Sequence, residues 1–138
     1  MKVNIIYWSG TGNTQMMAEA VAEGAQGAGA EVKVIPVAEA DASAVEADVV
    51  CMGCPAMGAE SLEYSEFEPW YSSVKDSLSG KKVALFGSYD WGDGEWMRTW
   101  QQDVEDAGGV MVDEGLIVNN TPDEEGLSLC RELGAKCA

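Results

Sequence analysis

The chain has 138 residues, 46% of them apolar, which suits one domain with a real core and excludes wholesale disorder. Its 24 carboxylates against 8 bases give a net charge of −16, which excludes the phosphate-neutralising surface that binds DNA or RNA. With no histidine, a Ser-His-Asp triad, a Cys-His pair and a His-ligated metal are all impossible within the chain.

In chain order, residues 3–8 form a first apolar, strand-like run that follows Met1 directly, leaving no room for a signal peptide. Six Gly or small polar residues follow at 9–14. Residues 14–28 then read as a helix with Met16, Met17, Ala20, Val21 and Gly24 on one stripe. A second strand at 32–37 leads into a short, polar, alanine-rich connection at 38–47. Residues 49–53 make a third strand that ends in a loop at 54–60, and 69–78 read as a helix. Strand four at 82–87, a loop at 88–94 and a helix at 94–107 come next. A fifth strand spans 110–118, and 122–137 close the chain as a helix. Nearly continuous β-branched runs in units of about 28 residues indicate an α/β fold, with parallel strands buried on both faces and right-handed crossovers. The whole of 1–138 is expected to be one domain. No apolar run reaches the length of a membrane span.

Ligands of such sheets bind beyond the carboxyl ends of the strands, where strand order reverses. The first of these loops, Ser9-Gly10-Thr11-Gly12-Asn13-Thr14, is a phosphate cradle. Its two glycines let the backbone approach a ligand, and the amides that open the helix are anion donors. A helix cap needs one small polar residue, not six in a row. No lysine occurs between Lys2 and Lys33, which excludes a Walker loop, and Gln15 stands where a dinucleotide fingerprint needs glycine. The cradle therefore holds its anion with neutral donors alone.

Four cysteines fit reduced thiols and a cytoplasmic protein. Cys51-Met52-Gly53-Cys54 closes a strand, whereas redox C-x-x-C pairs open a helix, so Cys51 reads as a small core residue and Cys54 as the start of a loop. Cys130 and Cys137 lie seven apart on a helical pattern and do not complete a zinc site.

Three segments, Tyr7-Trp8-Ser9-Gly10-Thr11-Gly12-Asn13-Thr14, Gly53-Cys54-Pro55-Ala56-Met57-Gly58 and Leu85-Phe86-Gly87-Ser88-Tyr89-Asp90-Trp91-Gly92, resemble the FMN loops of short-chain flavodoxins of anaerobic clostridia and their relatives. The resemblance covers essentially the whole chain, to Pro122-Asp123-Glu124. It implies a flavodoxin-like, doubly wound sheet of five parallel strands in the order 2-1-3-4-5, with helices on both faces and FMN at the switch point. By the same resemblance, Ser9 to Thr14 hold the FMN phosphate. Met57 lies against the inner face of the isoalloxazine and Trp91 against the outer face. Pro55, Ala56 and Ala59 complete the second loop around Gly58, whose peptide carbonyl turns to accept from flavin N5 in the semiquinone. Glu60 accepts from N3–H, the stretch from Ser88 through Tyr89 and Asp90 to Gly92 meets the pyrimidine edge, and Asn120 touches the ribityl chain. Asp90 stands where glycine is common in relatives, Ala59 where a polar residue is often seen, and Pro55 where some have serine.

The implied function is a low-potential, one-electron carrier that shuttles electrons between redox enzymes through the semiquinone/hydroquinone couple of non-covalently bound FMN. It is an electron-transfer protein rather than an enzyme, monomeric, with basic-faced reductases and oxidoreductases as partners. Charge agrees with this. Residues 34–74 contain no base and eight carboxylates, and the 90s loop adds Asp90, Asp93 and Glu95. One carboxylate about 10 Å from a reduced flavin, at an effective dielectric of about 40, opposes reduction by about 0.8 kcal/mol, or roughly 35 mV. The alternative, a small FMN-dependent NAD(P)H reductase, needs a substrate pocket and usually a cation for the dinucleotide, and neither is evident. A receiver domain needs Asp and Lys where Cys54 and Asn119 stand.

Overall fold

Side-chain alternation along the strands decides the layering. In the computed structural model, which describes residues 1–58 and 60–138, β1 (Lys2–Tyr7), β2 (Glu31–Pro36), β3 (Val49–Gly53) and β4 (Lys82–Tyr89) run parallel in the order β2-β1-β3-β4. Val3, Ile5, Val49, Cys51, Ala84 and Phe86 face one layer, while Ile6, Val50, Met52, Val83 and Leu85 face the other. This period of two on a sheet covered on both sides is why the strands read as continuous apolar runs. Helices α1 (Asn13–Gly27) and α4 (Glu124–Cys137) cover the first layer; α2 (Phe67–Val74) and α3 (Glu95–Asp106) cover the second.

The expected order 2-1-3-4-5 is observed, but the fifth strand is not continuous. It pairs with β4 twice, as β5 (Val110–Met111) and as β6 (Leu116–Asn119). Val83 lies opposite Met111 and Phe86 opposite Leu116, so positions 84–85 of β4 face the longer stretch 112–115. That excess bulges out of the ladder, and side chains satisfy its backbone. Asp113 accepts from the Glu114 amide at 2.8 Å, and Gln101 Oε1 accepts from the Gly115 amide at 2.9 Å. The alanine-rich connection forms two 3₁₀ turns, Val37–Glu39 and Ala42–Val45.

Helices α1 and α4 touch through glycines. A Cβ on Gly24 would collide with the Arg131 carbonyl, and one on Gly134 with the Val21 carbonyl. The buried stripe of α1 is Met17, Ala20 and Val21 with Gly24 as the contact point; Met16, expected on it, is 38% exposed. Positions 17, 20, 21 and 24 follow the helical repeat and 16 falls beside it. Among the described residues, no helix is long and apolar enough to cross a membrane.

Candidate functional site

Because the strands are parallel, the segments following β1, β3, β4 and β6 emerge at the same end of the sheet. Backbone pairing continues past the strand ends and fixes these loops to one another. The Trp8 amide donates to the Gly53 carbonyl (3.0 Å) and the Cys54 amide to Phe86 (3.1 Å). Likewise Ala56 donates to Ser88 (3.0 Å) and Asn120 to Tyr89 (2.6 Å). The loops are thus seated by the sheet ladder itself.

The first loop ends at Gly12, the N-cap of α1, with φ of 96°, a conformation that glycine adopts without cost. Ser9 Oγ accepts from the Gly12 amide at 3.1 Å and the Gln15 amide at 3.3 Å. The first turn of α1 carries no acidic side chain and its N-cap residue supplies no side-chain acceptor. The amides of Asn13 and Thr14 therefore point out of a positively polarised helix end. Thr14 is buried, its hydroxyl 3.1 Å from that of Ser88 in β4. Two hydroxyls carry two protons and their mutual bond uses one, leaving one to donate. Gly10 and Thr11 are exposed on the rim.

In the second loop the Glu60 amide donates to the Met57 carbonyl at 2.8 Å, and the Met57 amide to the Ser61 carbonyl at 3.0 Å, closing a turn. Glu60 takes up the positive φ (50°). Gly58 does not, and a Cβ there would meet nothing within 4 Å. Ala59 lies outside the described residues. Pro55, Ala56 and Met57 are half-buried. Glu60 Oε1 is buried and finds no hydrogen-bond partner among the described residues. It packs against Gly92, where a Cβ would overlap it, so the second and third loops meet at this carboxylate.

In the third loop, Gly92 and Gly94 provide the positive φ angles (86° and 90°); Asp90 does not. Trp91 is 57% exposed and Tyr89 packs its ring on Trp96 at 5.7 Å. Asn120 adopts φ of 57° and its side-chain Nδ2 donates to Asn119 Oδ1 at 3.0 Å.

Three residues that the sequence did not single out hold the site together. The Trp8 ring lies over Gly10 and its Nε1 donates to Glu66 Oε1 at 3.2 Å. Buried Trp96 donates from Nε1 to the Cys54 carbonyl at 3.2 Å. Glu63, one of the eight carboxylates of residues 34–74, is buried. It accepts from the amides of Ser65 (2.9 Å), Glu66 (2.8 Å) and Phe67 (3.0 Å) and from the Ser65 hydroxyl, and so caps the start of α2. Its only sequence signal is the spacing of Glu63 ahead of the Phe67 helix start. Cys54 is also buried. Burial raises its thiol to about 12, and it accepts from the Glu63 amide at 3.3 Å, while Cys51 points into the opposite layer. The C-x-x-C spacing therefore brings no redox pair together.

The flavodoxin family model matches residues 5–134. The chain is 47% identical over 137 residues to the flavodoxin of Clostridium beijerinckii, covering 99% of each. It is 45% identical to the flavodoxin of Megasphaera elsdenii, covering 99% of this chain and 98% of that one. The solution structure of two-electron reduced Megasphaera elsdenii flavodoxin superimposes with a TM-score of 0.89 at 43% identity, over 98% of this chain and 97% of that chain.

The Glu63 cap makes a pH-dependent prediction. Burial pushes its carboxyl up, but the Ser65 hydroxyl and the amides of Phe67, Glu66 and Ser65 outweigh burial and hold it down at about 2. A carboxyl depressed on folding contributes stability above its unfolded value of about 4.3, and that contribution fades as pH falls toward the folded value. Urea unfolding should show Glu63→Gln less stable by about 2 kcal/mol at pH 7, with the gap shrinking by pH 3. A gap of the same size at both pH values would contradict a carboxylate cap.

Proposed function

Since the chain belongs to the flavodoxin family and is an FMN-binding electron carrier, we infer that its strand-end loops hold FMN by neutral donors alone and offer it to a basic-faced redox partner. Bound FMN supplies the electron-transfer chemistry. Two features of this chain fit that group. The open N-terminus of α1, with one hydroxyl proton to spare between Thr14 and Ser88, suits a terminal phosphate. The orphaned Glu60 Oε1 suits a ring N–H. The first of these carries the reading, because a helix end free of acidic side chains and a buried hydroxyl pair converge there.

On this reading Ser9, Gly10, Thr11, Gly12, Asn13 and Thr14 bind the phosphate through backbone amides and hydroxyls. Met57 and Trp91 present apolar faces to the ring, and the exposed Trp91 side chain has room for a flat partner. Glu60 orients the ring through N3–H, the backbone of Tyr89 to Gly92 meets its polar edge, and Asn120 reaches the ribityl chain. Pro55 and Ala56 lead into Gly58. The Gly58 carbonyl holds a proton at flavin N5, and this glycine has no side chain to restrict its backbone. The reductase alternative is not favoured, since the family is one of electron carriers.

Around the loops, Glu66, Glu68, Asp90 and Glu95 are exposed, and the nearby base Arg98 is engaged with Asp93 at 3.0 Å. This acidic rim selects a basic face on the partner. The net charge of −16 opposes self-association and supports a monomer, and buried free thiols support a cytoplasmic setting.

Replacing Thr14 by Val removes one hydroxyl of the buried pair. Fluorescence titration of the apoprotein should show FMN affinity reduced about tenfold, as expected for one hydrogen bond to a charged group, with riboflavin affinity unchanged. Equal losses for both ligands would contradict phosphate recognition by this loop.

Partner association should respond to salt. Stopped-flow electron transfer from a basic-faced flavoprotein reductase should slow severalfold between about 0.05 and 0.3 M ionic strength, because charge steering is screened beyond about 10 Å at 0.1 M. A rate indifferent to salt would remove the electrostatic partner face.

A further inference from the structure

Two thiols with no part in the cofactor site face each other across the α1/α4 layer. Cys51, in the middle of β3, and Cys137, in the last turn of α4, are 86 residues apart in sequence, yet their Sγ atoms are 3.6 Å apart. Both are free and buried, 0% and 2% exposed. We propose that Cys51 and Cys137 form a modification site, an intrachain disulfide made by hydrogen peroxide and undone by thiols.

The geometry favours this pair above the other cysteines. Cys51 belongs to the layer under α1 and α4, and Cys54 to the layer under α2 and α3, so the sheet separates them. Closing from 3.6 Å to a bond of about 2.05 Å needs movement of one partner. Cys137 has more room to move than Cys51, because it lies in the last turn of α4 whereas β3 is paired on both sides. Local opening of that last turn is the route by which a small oxidant reaches the covered thiol. Ionisation favours the same order of events. The Cys51–Cys137 hydrogen bond and burial hold the Cys51 proton, and the same hydrogen bond lowers Cys137 against the opposing effect of burial. Cys137 is thus the attacking sulfur.

The chemistry closes without other reactants. The Cys137 thiolate attacks one oxygen of hydrogen peroxide, the O–O bond breaks, and the departing hydroxide takes up the thiol proton as water, leaving Cys137 as a sulfenic acid. The Cys51 sulfur then displaces the hydroxyl group, an S–S bond forms, and the hydroxyl leaves with the Cys51 proton as a second water. Two electrons pass from the two sulfurs to the peroxide.

The bond would tie the central strand to the closing helix on the face of the sheet turned away from Cys54 and α3. It constrains a long loop of the unfolded chain, so it stabilises the fold.

The test uses the FMN-loaded full chain treated with a small molar excess of hydrogen peroxide, then alkylated and peptide-mapped without reduction. The expected result is a linked peptide containing Cys51 and Cys137, two hydrogens lighter than the sum of its parts, with Cys54 and Cys130 still alkylated. The melting temperature should rise by several degrees and return after dithiothreitol. Cys137→Ser should abolish the linked peptide, and Cys130→Ser should retain it. A sulfinic acid at Cys137 with Cys51 left free, or a link to Cys130, would overturn the proposal. The wild-type map decides this even where a variant fails to fold.

Discussion

Parallel strand pairing requires each β-to-α turn to leave the sheet at the same end, and here it also points the N-terminus of α1 into that end. The site follows from this constraint. Backbone bonds from Trp8 to Gly53, Cys54 to Phe86, Ala56 to Ser88 and Asn120 to Tyr89 extend the ladder into the loops, so loop positions are inherited from strand register. The helix end supplies polarised amides, and the neighbouring strand supplies Ser88 opposite Thr14. Burial on both faces then depends on small residues where helices meet, as at Gly24 and Gly134.

The electrostatics of the site follow from what that arrangement leaves out. On the proposed placement, a phosphate at the end of α1 is met by dipoles and hydroxyls without a cation, in a chain of net charge −16. Glu60, Asp90 and Asp93 lie on the loops proposed to hold the ring, and the base that follows them, Arg98, is held by Asp93. Neutral binding and an acidic rim thus act in the same direction: they retain the cofactor by shape and hydrogen bonds while making its reduction harder. Glu63 has no share in this field, since its carboxylate is spent on the amides of α2.

Much of this was legible in the sequence because it depends on local pattern. The runs at 3–8, 32–37, 49–53 and 82–87 became strands within a residue or two, and six small polar residues at 9–14 marked the helix-opening loop. Features that depend on register or on partners distant in sequence were not legible. The break in the fifth strand arises where 112–115 outrun positions 84–85 of β4, which no periodicity in 110–118 reveals. Glu63 looks like any loop carboxylate until the Ser65, Glu66 and Phe67 amides converge on it. Trp8 and Trp96 act as struts only because Gly10 and the Cys54 carbonyl lie beneath them. Gly58 has a glycine's freedom that the conformation described here leaves unused.

On the proposed placement, neutral donors and an acidic surround turn bound FMN into a carrier of single electrons. Anaerobic potentiometric titration of the FMN-loaded protein, followed by its visible spectrum, tests it most directly. Two resolved one-electron steps are expected, the second well below the potential of free FMN. A single two-electron wave at the potential of free FMN would contradict it.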